Sequence, residues 1–203
     1  MLEASNLECR RGARTLFGGL ALQLRRGELL RVAGENGSGK TTLLKILAGL
    51  LLPDAGEVRW GGAPIQALRE EYARQIAFVG HAPALKDELS AAENLTAACA
   101  IAGAPASAGA VRDALSRFSL AADRVPVRRL SQGQRRRVAL ARLMLSPAAL
   151  WLLDEPFGAL DAAAARVAAE LIGRHVSAGG AVAYSTHQEA DIPGTVQRVL
   201  ALA

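Results

Sequence analysis

The chain has 203 residues, 51% of them hydrophobic, and a formal net charge of +5. This length suits one domain, or one core with a lobe inserted in it, and the composition excludes a disordered chain. No stretch approaches the ~18 uninterrupted apolar residues of a membrane span, and Met1-Leu2-Glu3 opens without the basic and apolar regions of a signal peptide.

Any membrane association is therefore expected through a partner or the surface. Arginines cluster at Arg10-Arg11, Arg25-Arg26, Arg128-Arg129 and Arg135-Arg136-Arg137. Such clusters suit nucleic acid, an anionic membrane or a phosphate ligand, and equally serve as solubilising charge in an alanine- and arginine-rich chain. Charge alone decides nothing here. Cys9 and Cys99 lie far apart and outside metal-ligand spacing, so both read as reduced, buried thiols.

In chain order, residues 2–9 and 20–24 read as strands joined by a turn through residues 11–14. Residues 29–33 form a short buried strand, a glycine-rich loop follows, and residues 43–48 have helical character with Gly49 near the helix end. Residues 53–56 signal a turn, and residues 57–60 a strand closed by Gly61-Gly62. Another strand is expected over 76–79. From Ser90 to about Ser146 alanine-rich helical stretches dominate, broken near Gly103-Ala104-Pro105 and Val125-Pro126. Residues 149–153 are continuously apolar, as in a strand buried on both faces of a parallel sheet. A helix over 162–174 and strands over 181–185 and 196–200 complete the chain, with no internal repeat.

Two stretches carry chemistry by themselves. Gly34-Glu35-Asn36-Gly37-Ser38-Gly39-Lys40-Thr41-Thr42 fits G-x-x-x-x-G-K-[ST] between a strand and a helix. Its glycines let the backbone aim several N–H groups at one point, and the helix N-terminus adds partial positive charge, so the loop suits a phosphate chain. Lys40 is expected to reach the β- and γ-phosphates, and the Thr41 hydroxyl to ligate Mg²⁺. The apolar run at 150–153 ends in Asp154 and Glu155. Asp154 is expected to face that Mg²⁺, directly or through a water, and Glu155 to polarise a water for attack on the γ-phosphate.

Leu130-Ser131-Gln132-Gly133-Gln134 resembles the LSGGQ signature of ABC-type ATPases, with Gln132 in place of the first glycine. The resemblance covers the whole chain with its motifs in order. It implies an α/β, P-loop NTPase cassette: a RecA-like core with an antiparallel β portion, residues 1–80 and 147–203, and a mainly helical lobe, residues 81–146. It also implies ATP and Mg²⁺ as cofactors and a second copy as partner in an ATP sandwich. Ser131, the Gly133 backbone, Gln134 and the following helix start would contact a γ-phosphate held mainly by that copy, although Ser131 also reads as an ordinary N-cap. Residues 158–161 resemble the D-loop, which places Asp161 at the dimer seam. His187 matches the switch histidine that contacts the γ-phosphate and positions the water.

The chain departs from the family pattern at two positions. His81 stands where a glutamine is usual, which leaves an imidazole to sense the site and makes His81 a candidate catalytic residue. Arg11 stands where an adenine-stacking aromatic is expected; the two alternatives are Arg11 stacking through its guanidinium plane and Phe17 in its place. Within the family, Gly80-His81-Ala82-Pro83, residues 85–95, Met1-Leu2-Glu3-Ala4 and Arg14-Thr15-Leu16-Phe17 resemble the ATPase subunit of bacterial haem exporters used in cytochrome c maturation. That subfamily implies integral-membrane partner subunits met through residues 81–94, no nucleic acid, and a peripheral place on the cytoplasmic face of the inner membrane. The alternatives are the ATPase of another transporter, a soluble ABC ATPase of DNA repair or translation, and a small P-loop kinase. The stretch between Thr41 and Leu130 has no sustained heptads, which weighs against the soluble class, and a kinase has no use for residues 130–134.

Overall fold

The computed structural model describes residues 1–12, 14–121, 124–187 and 191–202. Its elements begin with β1 (Leu2–Arg11), β2 (Arg14–Leu24), β3 (Leu29–Ala33), α1 (Lys40–Leu47), β4 (Ala55–Trp60) and β5 (Ala63–Pro64). The middle of the chain holds α2 (Ile65–Leu68), α3 (Glu70–Gln75), β6 (Ile76–Val79), α4 (Ala91–Ile101), α5 (Ala108–Arg117) and α6 (Gln132–Ala141). The last part holds β7 (Leu150–Asp154), α7 (Ala162–Ser177), β8 (Ala181–Ser185) and β9 (Gln197–Ala201).

Two sheets result: one antiparallel in the order β2-β1-β4-β5, the other parallel in the order β6-β7-β8-β3-β9. In β1, Leu2 and Ala4 face the core, and then Leu7 and Cys9. The alternation slips at Asn6, whose φ is 50° and where the pairing with both neighbouring strands shifts, so a bulge returns Leu7 to the inner face. A second slip explains why β2 starts at Arg14, earlier than residue 20. Leu7 pairs with Leu20 but Cys9 with Phe17, and the extra residue falls at Gly18-Gly19, a pair that weakens a strand reading of the sequence. The turn expected through residues 11–14 includes Ala13, which lies outside the described residues.

Every residue of β7 is buried because the parallel sheet is covered on both faces. Leu150 and Leu152 join α1 (Leu43, Leu44, Ile46, Leu47) and the inner face of the antiparallel sheet in one core. Trp151 and Leu153 join α7 and helices α4–α6 in a second core, with Leu95, Leu115, Phe118 and Val138. Helix α1 is thus wedged between two sheets, where each fully buried leucine is worth about 1.5–3 kcal/mol over an exposed one. No helix among the described residues is long and apolar enough to cross a membrane.

The helices of the second core start at strong caps. Ser90 and Glu93 form a capping box on α4, Ser107 caps α5, and Asp161 accepts from the Ala164 N–H at the start of α7. Helix α7 runs three residues past its expected end at 174, because Val176 is buried against the sheet. The short helices α2 and α3, between the two sheets in sequence, carry too little apolar periodicity to be read in advance. Tyr72 of α3 is buried and its hydroxyl donates to the Leu47 carbonyl at 2.6 Å, which ties α3 to the end of α1.

Candidate active site

Strand β3 delivers the chain to the phosphate loop, and α1 leaves from it. Gly39 caps α1 with φ 98°, and a Cβ there would lie 3.2 Å from Leu16 Cβ and 3.3 Å from the Phe17 ring. Backbone and packing both demand glycine at this position. The Phe17 ring is therefore committed to packing against the loop, as a buried member of the core. Lys40 is only 6% exposed, and its Nζ donates to the Gly34 and Glu35 carbonyls, each at 2.8 Å. Ser38 is buried with its Oγ unpaired among the described residues. Asn36 and Gly37 stand exposed at the tip, and Thr42 is half-buried in the first turn of α1. A cation folded back on its own loop, an unpaired buried hydroxyl and an uncapped helix start together suit a phosphate chain.

Arg11 is exposed at the end of β1 and pairs across the hairpin with Arg14. Sequence reasoning gave Arg14 no part in the site. Its Nη1 lies 3.7 Å from where a Cβ on Gly37 would sit, so a guanidinium reaches the tip of the phosphate loop.

At the C-terminal end of the parallel sheet, Asp154 is 1% exposed. The Thr41 hydroxyl donates to its two carboxylate oxygens at 3.0 and 2.9 Å, and the Ser185 hydroxyl donates to Oδ1 at 2.7 Å. Ser185 Oγ in turn accepts from the Glu155 N–H at 3.0 Å. Sequence reasoning had Ser185 only as the end of a strand. The available signal was register: β7 and β8 are parallel neighbours that pair Asp154 with Ser185. Glu155 takes a φ of 52°, a conformation that costs a non-glycine residue about 1–3 kcal/mol. Its Oε1 lies 3.1 Å from His187 Nε2, within ion-pairing reach though not aligned as a hydrogen bond. Glu155 and His187, predicted separately, are thus brought together. Thr41 and Asp154 offer the hard oxygen donors that Mg²⁺ prefers, beside a loop that suits the phosphates it binds.

Arg136, one of an arginine run whose role the sequence left open, is 3% exposed. One arm of its guanidinium donates to the Gly80 carbonyl at 2.6 Å and reaches the His81 carbonyl at 3.5 Å. The other donates to the carbonyls of Asp154 and Glu155. Burial pushes its pKa down, against the opposing pull of the Asp154 and Glu155 carboxylates. Arg142 is similar: it donates to the Phe78 carbonyl at 2.7 Å, and burial lowers its pKa too. His81 is exposed, and its imidazole makes no hydrogen bond among the described residues. Only its carbonyl is drawn into the site.

Ser131 and Gln134 close a capping box on α6. The Gln134 N–H donates to Ser131 Oγ at 3.2 Å, and the Ser131 N–H to Gln134 Oε1 at 2.9 Å. The ordinary N-cap reading of Ser131 is therefore correct as far as it goes, and both residues are also exposed. Gly133 packs so closely on the loop before α7 that a Cβ would lie 2.6 Å from the Ala159 carbonyl. Asp161 is held there by Arg137 of α6 and by its own cap to Ala164.

A phosphate loop, a buried aspartate on its threonine and a glutamate against a histidine define a nucleoside-triphosphate-hydrolysing cassette. A family model described as ABC transporter matches residues 17–158. The cytochrome c biogenesis ATP-binding export protein CcmA of Aromatoleum aromaticum is 52% identical over 200 residues, 97% of this chain and 94% of that one. The protein of the same name from Pseudomonas aeruginosa is 51% identical over 190 residues, 93% of this chain and 94% of that one. Among solved structures, a dimeric ATP-binding cassette in a post-hydrolysis state with ADP and Pi superposes with a TM-score of 0.86. It is 26% identical and covers 100% of this chain and 94% of that one. An ABC transporter ATP-binding protein from Pyrococcus furiosus gives a TM-score of 0.85 at 26% identity, covering 99% of this chain and 96% of that one. The chain belongs to the ABC transporter family, as one of its ATP-hydrolysing cassettes.

Proposed function

We propose that two copies of this chain close on two ATP molecules and drive integral-membrane subunits in cytochrome c biogenesis, with haem as the cargo. The observation that carries the hydrolytic part is the hydrogen-bonded chain Thr41–Asp154–Ser185–Glu155, with His187 against the Glu155 carboxylate. The transport part is supported by the relatives' shared name and by the dimeric cassette that the fold resembles.

Lys40 Nζ exchanges its two loop carbonyls for the β- and γ-phosphates, while Ser38 and the first N–H groups of α1 take the remaining phosphate oxygens. Thr41 and Asp154 would hold Mg²⁺, which would supply neutralisation of phosphate charge. Glu155 takes the proton of the attacking water, whose oxygen bonds to the γ-phosphorus as the bond to the β–γ bridging oxygen breaks and ADP leaves. His187 orients that water. Ser131, Gly133, Gln134 and the start of α6 address the γ-phosphate held by the second copy, with Asp161 at the seam. Residues 81–94, at the entry to the mainly helical lobe 81–146, meet the membrane subunits. The Asn94 side chain supports that role, since it ties down the loop before α4 through the Lys86 N–H and the carbonyls of Lys86, Leu89 and Ser90. The chain then sits at the cytoplasmic face of the inner membrane, bound through its partners.

The test uses cells that make c-type cytochromes and carry no second copy of the gene. Lys40→Ala should stay with the membrane fraction through a high-salt wash, because docking through residues 81–94 survives screening that strips arginine from lipid. The same cells should lack c-type cytochromes. Normal cytochrome levels would overturn the assignment to cytochrome c biogenesis and leave the ATPase in place.

A further inference from the structure

The Glu155 peptide is gripped from both ends. Its N–H is held by Ser185 and its carbonyl by Arg136, and between them the backbone sits at φ 52°. A non-glycine residue stays in that conformation only where its surroundings over-determine it. Arg136 is suited to the task because its planar fork serves two pairs of acceptors at once. One arm meets Gly80 and His81, where the chain leaves β6 for the helices, and the other meets Asp154 and Glu155, where β7 ends. The guanidinium is carried by α6, the helix that Ser131 begins. All four of its acceptors are main-chain carbonyls and none is a carboxylate, so the contacts fix backbone position and leave the Glu155 carboxylate free to face His187.

We propose that Arg136 is the positioning residue that holds Glu155 in its hydrolytic orientation, tying it to the point where the chain enters the helical lobe. The inference rests on the reading of Glu155 as the group that takes the water's proton. A buried arginine could also serve stability alone, and the two roles differ in what they do to kinetics. Phosphate-loop contacts lie elsewhere, so loss of positioning lowers kcat and leaves ATP binding alone.

The experiment measures steady-state ATP hydrolysis by the purified full chain, with thermal melting alongside. Arg136→Ala removes the fork, and Arg136→Lys keeps the charge without the two-armed geometry. In Arg136→Ala, kcat should fall roughly 10²-fold, the loss that a displacement of about 1 Å produces. KM for ATP should stay within about threefold in both variants. Guanidinium chloride at low millimolar concentration should restore part of the Arg136→Ala rate, and ammonium chloride should not. Should Arg136→Ala melt below the assay temperature, Arg136→Lys carries the test by the same split between kcat and KM. The inference is overturned if kcat of the folded variant matches wild type, or if KM rises in step with the loss of kcat. It is also overturned if ammonium rescues as well as guanidinium. Glu155→Gln separates the two layers. If it is inactive while Arg136→Ala is active, only the positioning role falls; if it hydrolyses ATP normally, the reading of Glu155 falls first and takes this inference with it.

Discussion

Two helices in this chain carry a glycine at their start, Gly39 before α1 and Gly133 in the first turn of α6, and they are finished in opposite ways. Helix α1 starts at Gly39 with no side-chain cap, its lysine buried and its apolar side packed into the core between two sheets. Helix α6 starts at Ser131 with a complete capping box, and both box residues are exposed. An uncapped helix start leaves N–H groups unpaired, at a cost that only surrounding packing or a ligand can offset. At α1 the packing is there, so the site stands ready within one chain. At α6 the chain pairs its own Ser131 and Gln134 N–H groups and presents the turn outward. The difference teaches that one chain builds the phosphate cradle by itself, while the signature turn faces outward, as the proposed two-copy site requires.

The sharpest way to test this division is Glu155→Gln, which removes the proposed proton acceptor while sparing the cradle. Turnover should fall by ~10²–10⁴. ATP should still bind, and size-exclusion chromatography should then show an ATP-dependent dimer. Wild-type turnover would take Glu155 out of the mechanism. Next comes the cradle itself. Lys40→Ala deletes a buried cation that meets charged oxygens, a change of about 3 kcal/mol, so equilibrium titration should show ATP binding weakened roughly 10²-fold.

The α6 side should behave differently. Ser131→Arg overfills a surface proposed to close on a partner, a cost of about 1–3 kcal/mol, and turnover should drop roughly 5- to 150-fold. Affinity of the single chain for ATP should be unchanged within error, because Ser131 touches nothing in its own cradle. If Ser131→Arg hydrolyses ATP at the normal rate, the two-copy site is wrong. The smallest effect should come from Ser131→Ala, which leaves the turn in place but strips its cap. Loss of such a cap costs about 1 kcal/mol, a fall in melting temperature of roughly 2–4 °C for a chain of this size. A melting temperature unmoved by this change would mean that the exposed end of α6 is already frayed.

The parts of the site that were legible in sequence are those made by contiguous residues. The phosphate loop needs glycines, a lysine and a threonine within nine positions, and the chemistry of a backbone cradle allows few substitutes for them. The paired acids at the end of β7 follow a continuous apolar run, because a strand covered on both faces has no polar side until it emerges. The Ser131 cap is readable for the same local reason.

What the fold alone decided lies between segments. Ser185 stands 31 positions from Asp154 and meets it only because two parallel strands end in register. Phe17, one of two candidates for adenine stacking in the sequence, is packed against Gly39. Arg135, Arg136 and Arg137 are indistinguishable as a run of charge. On a helix, however, successive side chains point about 100° apart, so the first meets Asp87, the third Asp161, and the middle one turns inward to the glutamate's backbone. Sequence by itself determined which chemistry this protein carries, because that chemistry is written in local backbone geometry. Tertiary structure decided which side chains hold it in place, because burial and strand register depend on residues far apart in the chain.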